Sequence, residues 1–112
     1  MSAPRLNRKL VLESEERVAD GAGGFAKAWV AQGEIWAEIK AGSGRETDGE
    51  LVTVSTVPYR ITVRAAPVGA PSRPKPDQRF REGSRVFRIL AVTERDSDGL
   101  YLSCFAREEV PA

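Results

Sequence analysis

Residues 59–66 read YRITVRAA, and in their first six positions every second side chain changes character. Tyr59, Ile61 and Val63 point one way, while Arg60, Thr62 and Arg64 point the other. A period of two with charge on one side describes a strand whose one face is buried and whose other face is wet. The pattern recurs at 35–40, where Ile35, Ala37 and Ile39 alternate with Trp36, Glu38 and Lys40. RKLVLESEERV at 8–18 places Leu10 and Leu12 on one face of a first strand. A short strand precedes the turn at Gly83-Ser84, and a strong one runs from Arg85 to Val92. The last, LYLSCFA at 100–106, sets Leu100, Leu102 and Cys104 against Tyr101 and Phe105. No long segment carries a helical period with caps, and RETDGELVTV holds one short helical turn at most. The sequence therefore predicts an all-β protein. The regular turns favour a small five- to six-stranded β-barrel or rolled antiparallel sheet over a sandwich, with a long loop between the second and third main strands.

Glycine and proline divide the chain. ADGAGGF at 19–25 reads as a flexible turn, TERDSDG at 93–99 as another, and Gly33 as a bulge or bend within the second strand. PVGAPSRPKP at 67–76 has four prolines in ten residues. Proline lacks the backbone donor a sheet interior needs, so this piece reads as an extended, semi-rigid connection. The stretch AGSGRETDGELVTVSTVPYR at 41–60 is too long for a hairpin turn, which needs only about two to five residues. These divisions give a single domain over 1–112. Its barrel spans about 8–106, with a long loop at 42–57, a Pro-rich connection at 66–76 and a tail at 107–112.

The total charge of +1 conceals a pattern. Residues 60–88 carry eight Arg/Lys against two Asp/Glu; residues 34–50 and 89–112 each carry two against five. This is either an ordinary solvated surface or a molecule with a positive and a negative side. The second kind pairs head to tail with copies of itself.

Much catalytic chemistry is missing. The chain has no histidine, which removes the commonest general base, the Cys–His and Ser–His pairs and the usual zinc ligands. Cys104 sits in an apolar strand and reads as a buried, inert thiol with no disulfide partner. Asp96 and Asp98 before Gly99 form a turn, because leucines follow where calcium ligands would stand. No enzyme, cofactor or metal is expected. No apolar run reaches membrane-spanning length, and MSAPRLNRKL lacks the core of an export signal, so a soluble protein is expected, with no membrane partner. Arg60, Arg64, Arg79, Arg81, Arg85 and Arg88 offer a basic barrel face. Tyr59 and Phe87 alternate with core residues, however, and leave no stacking platform for sequence-specific nucleic-acid binding. A stand-alone barrel that binds nucleic acid or protein remains the alternative.

The order of motifs resembles the head–tail joining family of tailed phages and gene transfer agents, also called head-closure or stopper proteins. The resemblance covers about residues 5–106. It rests on LNRKLVLES, the glycine turn leading to Trp29, IWAEIKAGSGRE at 35–46, YRITVR at 59–64, PDQRFREGSRVFRILAV at 76–92 and LYLSC at 100–104. It implies a structural protein assembled in the bacterial cytoplasm into a virion-like particle. There it forms a homo-oligomeric, hexameric ring between a portal–adaptor ring and a tail-terminator protein. The ring helps retain packaged double-stranded DNA and docks the tail. It further implies that the long loop, with Gly42, Ser43, Gly44, Arg45, Glu46, Asp48, Gly49 and Thr53, faces a DNA channel. The arginines at 60, 64, 79, 81, 85 and 88 become candidates for contact with neighbouring subunits or the adaptor. The connection PVGAPSRP is longer than the family's usual link.

Overall fold

The structure is a computed structural model that describes residues 3–42 and 57–109. Among these residues there are six strands and no helix. They are β1 (Arg8–Ala19), β2 (Phe25–Ala41), β3 (Pro58–Arg64), β4 (Arg79–Glu82), β5 (Arg85–Glu94) and β6 (Tyr101–Glu109). All neighbours are antiparallel, and the order β1-β2-β3-β6-β5-β4 closes on itself as β4 pairs with β1. Closure leaves the barrel wall no free edge. The expected all-β barrel is thus borne out.

Alternation explains the interior. Leu10 and Leu12, Ala37, Ile61 and Val63, Phe80, Phe87 and Ile89, and Leu102, Cys104 and Ala106 converge from the six strands and are buried. Ile35 and Ile39, expected in the core, are half-buried and pack against its edge. Tyr59 meets Phe87 edge to face, with ring centroids 5.2 Å apart. Phe80 sits in the shortest strand, where four residues are too few to display a period.

Two bulges shape the wall. Leu12 opposes Gly33 and Glu13 opposes Ala31, so Gln32 is an extra residue. Gly33 has φ +145° with open space where a Cβ would stand, so the constraint is conformational rather than steric. Leu90 is the extra residue of the second bulge, between Ile89 and Ala91. β6 continues to Glu109, three residues beyond the barrel boundary read from the sequence.

The Pro-rich connection is not extended. It folds into successive turns, with Ala70 N donating to Pro67 O and Arg73 N to Ala70 O, each at 3.0 Å. The Arg73 guanidinium donates to Ala66 O at 2.8 Å, and Pro74 is fully buried. Gln78 is buried too; its Oε1 accepts from Lys75 N, and its carbonyl accepts from Ile89 N. Proline supplies turns here and an apolar plug, which composition alone does not separate from extended chain.

Candidate assembly surfaces

The barrel mouth beside the end of β2 and the start of β3 is filled by charge. Arg8, Glu82, Arg85 and Glu108 all share the inward parity of their strands. Arg85 donates to both carboxylate oxygens of Glu108, at 2.8 and 3.1 Å, and to Tyr59 Oη at 3.4 Å. Arg8 donates to both oxygens of Glu82, at 2.6 and 2.7 Å, and Arg85 lies 3.9 Å from the same carboxylate. Bonds from Arg85 and Arg8 hold the Glu108 and Glu82 carboxyls below their usual range, against the opposing effect of burial. Two cations and two anions make a neutral plug, so Arg85 is committed within its own chain.

A second cluster lies on the outside of β1 and β4. Glu13, with only 8% of its side chain exposed, accepts from Arg79 at 2.6 Å and Arg81 at 2.9 Å. Burial pushes its carboxyl up, but the two guanidiniums outweigh that and leave it below the ordinary value. Arg79 and Arg88 lie 4.2 and 5.3 Å from the ring of Trp29. Arg88 Nε is buried without a hydrogen-bond partner, and its guanidinium otherwise approaches Asp77 at 4.0 Å. A shallow polar cleft alongside is lined by Ser14, Glu15, Lys75, Pro76, Asp77, Gln78 and Arg88.

Of the six arginines singled out from the sequence, four are therefore held by their own chain. Arg60 and Arg64 instead stack on Phe105 and Tyr101, at 5.4 and 5.6 Å, and make no ion pair among the described residues. The sequence reading missed Arg107, which the extended β6 places on the same outer face, and the exposed Leu90 and Phe105 beside it. Continued alternation from Leu102 would have found Arg107. The bulge that exposes Leu90 has no sequence signal.

Of the long loop, Ser43, Gly44, Arg45, Glu46, Asp48, Gly49 and Thr53 lie outside the described residues. Gly42 closes the ladder: its N–H donates to Pro58 O at 2.7 Å, and an added Cβ would stand 3.1 Å from that oxygen.

The sequence shows the two strands and the turn of the long β1–β2 hairpin, but not its reach beyond the barrel. β4 reaches β1 only as far as Glu13, and β3 reaches β2 only from Ala37 onward. Ser14–Ala19 and Phe25–Trp36 thus have a strand neighbour on one side only. The ribbon they form is an arm, and the molecule measures 53 × 35 × 24 Å. Its tip is a built turn rather than a flexible one. Asp20 Oδ1 accepts from Ala22 N at 2.8 Å and Gly24 N at 3.0 Å, while Gly21 and Gly23 supply φ values of +81° and +86°.

Burial pushes the Cys104 thiol up to about 12, well out of the nucleophilic range. The described residues contain no cluster of metal-ligating side chains, and no helix among them is long and apolar enough to cross a membrane. What the molecule offers is outer surface, a plugged mouth and an arm.

Residues 1–109 match the family described as phage head completion protein. The chain belongs to that family. A solved chain from the "virion of native gene transfer agent (GTA) particle" is 68% identical; the match covers 98% of this chain and 100% of that one, with a TM-score of 0.79. The solution structure of protein SF1141 from Shigella flexneri 2a, 20% identical over 100% of both chains with a TM-score of 0.72, shares the fold. No curated protein matches. The resemblance carried by LNRKLVLES through LYLSC is borne out. As a head completion protein, the chain is a structural, head-closure component.

Proposed function

We propose that this head completion protein closes the heads of a gene transfer agent particle. In this reading it forms a homo-oligomeric ring, hexameric by family resemblance, between the portal–adaptor ring and the tail terminator. The observation that carries the proposal is the 68% identity, along nearly the whole chain, to a chain of a native gene transfer agent virion. The structure supports it in two ways. A closed barrel with a neutral, plugged mouth is a rigid block suited to stacking. Arg60, Arg64 and Arg107, which make no ion pair among the described residues, lie on one side of it, ready for neighbours. Residues 42–57 join β2 to β3 at the mouth that holds the charged plug, and we assign them to the channel, where a ring of such segments would obstruct DNA sterically. Their charge is adverse to tight DNA binding, since Arg45 is outnumbered by Glu46, Asp48 and Glu50. That suits a closure through which DNA must later leave. Specific partners on either side are those that the family position implies.

The test is deletion of the gene in a producing strain. The expected result is heads that lack tails and lose packaged DNA, with plasmid-borne protein restoring both. Normal yields of tailed, DNA-filled particles from the deletion strain would refute the reading.

A further inference from the structure

The arm has two faces, set by strand pairing. On one, Arg17 stacks on Phe25 at 4.6 Å and Trp29 holds Arg79 and Arg88. The other carries Ser14, Val18, Ala26, Ala28 and Val30, with Glu16 among them. The Glu16 carboxylate accepts from the Gln32 amide at 3.1 Å and meets no cation among the described residues. This second face is mostly small side chains, four of them apolar, with one carboxylate, and no strand of the described chain covers it. A two-stranded ribbon is at best marginally stable by itself. At about 3.3 Å per residue, Ser14–Ala19 alone reach about 20 Å past the last contact with β4.

A matching surface lies elsewhere on the same molecule. Arg60, Phe105 and Ala91 form one row across β3, β6 and β5. Leu90 is 53% and Phe105 37% exposed. Arg107 stands in the adjacent row, and neither Arg60 nor Arg107 has a carboxylate partner among the described residues. This is an apolar spot flanked by two cations, complementary to an apolar strip bearing one anion.

Topology then decides who covers whom. In the closed order β1-β2-β3-β6-β5-β4, β6 is three steps from β1 in either direction, and β5 is three steps from β2. Arg60 stands on β3, beside β2, but the arm leans on its own barrel through its other face, where Trp29 holds Arg79 and Arg88, so its Glu16–Val18–Ala28 face is turned away from the patch of its own molecule. Two different patches that face away from each other make a head-to-tail contact, which closes into a ring when the rotation permits.

We infer that the β1–β2 arm is an intersubunit strap: its Glu16–Val18–Ala28 face docks on the Arg60–Leu90–Phe105 face of a second copy of this chain. The inference rests on the ring reading above and identifies the surfaces that would make the ring. Electrostatic matching sets register and partner choice, and the apolar contact supplies the lasting attraction.

The test uses whole particles. Val18→Cys and Leu90→Cys are introduced together and separately, and particles are treated with a short bis-maleimide. Cys104 does not compete, because it is buried. The double variant should give a ladder of covalent oligomers, and each single variant only monomer. Glu16→Arg should lower incorporation into particles at least about tenfold by placing like charges together, with an unchanged melting temperature, and Arg60→Glu added to it should restore incorporation. Three outcomes would each overturn the strap while leaving the head-closure reading intact. They are protein present in particles with no ladder, a cross-link from the Val18→Cys variant to a different protein, and normal incorporation of Glu16→Arg. Absence of the wild-type chain from particles would overturn both.

Discussion

Arg85 grips Glu108 through two hydrogen bonds, Nε to Oε2 at 2.8 Å and Nη2 to Oε1 at 3.1 Å, across the mouth of the barrel. The pair sits at positions 23 residues apart that the β5–β6 register makes near neighbours. It joins Arg8–Glu82 into a plug whose charges cancel.

The plug makes stability depend on acidity in a definite direction. Glu108 and Glu82 titrate lower in the folded chain than in the unfolded one. Their stabilisation is therefore complete above the unfolded value of about 4.3 and is lost as pH falls through the lowered folded values. Glu108→Gln should cost about 1 kcal/mol at neutral pH. Urea midpoints measured on both proteins down to about pH 3 should converge, because acid removes from the wild type what the variant already lacks. A difference that stays constant over that range would show that the pair contributes no titrating stabilisation.

The core should respond as a packed unit. Phe80→Ala should cost about 3–5 kcal/mol, and Ile61→Ala and Ile89→Ala about 2–5 kcal/mol each, since all three side chains are fully buried. Chemical denaturation should show lower midpoints for each. Unchanged midpoints for Ile61→Ala and Ile89→Ala would mean that the strand parity is wrong.

Glu13 should matter more than an exposed carboxylate. It satisfies two guanidiniums where the arm leaves the barrel. Glu13→Gln should cost about 1–3 kcal/mol, with faster hydrogen exchange along 14–19 than in β3. A variant as stable as the wild type would show that Arg79 and Arg81 are adequately solvated without it.

These responses also bear on what was legible beforehand. Strict alternation in YRITVR, and Phe87 two residues before Ile89, reveal the inward faces of β3 and β5, because a half-buried strand leaves a period of two. Phe80 was not legible, since RFRE is too short to show any period. Gly33 announced its bulge; Leu90, in an unbroken apolar run, did not. The basic segment 60–88 was visible as charge, yet which arginines stay free depends on pairings over long separations, such as Glu13 with Arg79 and Arg81. The arm was read as strand and turn, but its freedom follows from where β3 and β4 stop pairing, a fact about other segments.

The segment at 42–57 should be dispensable for folding. β2 and β3 pair with each other up to Ala41–Tyr59, and Gly42 adds one more bond to Pro58. Closure entropy varies slowly with loop length, so a short Gly-Ser replacement of 43–56 should shift stability by less than about 1 kcal/mol. The expected particle phenotype is near-normal incorporation with heads that leak DNA or fail to join tails. An unfolded variant would place the segment in the core sheet, and full heads with working tails would remove it from the closure.

A barrel that closes the head belongs where the tail attaches. Cryo-electron microscopy of purified particles tests it most directly. The expected result is density for the six-stranded barrel, repeated around the axis, at the head–tail junction, with the Arg60–Leu90–Phe105 face of each copy toward its neighbour. Particles with a complete junction that lacks this chain, or that carry it elsewhere, would contradict it.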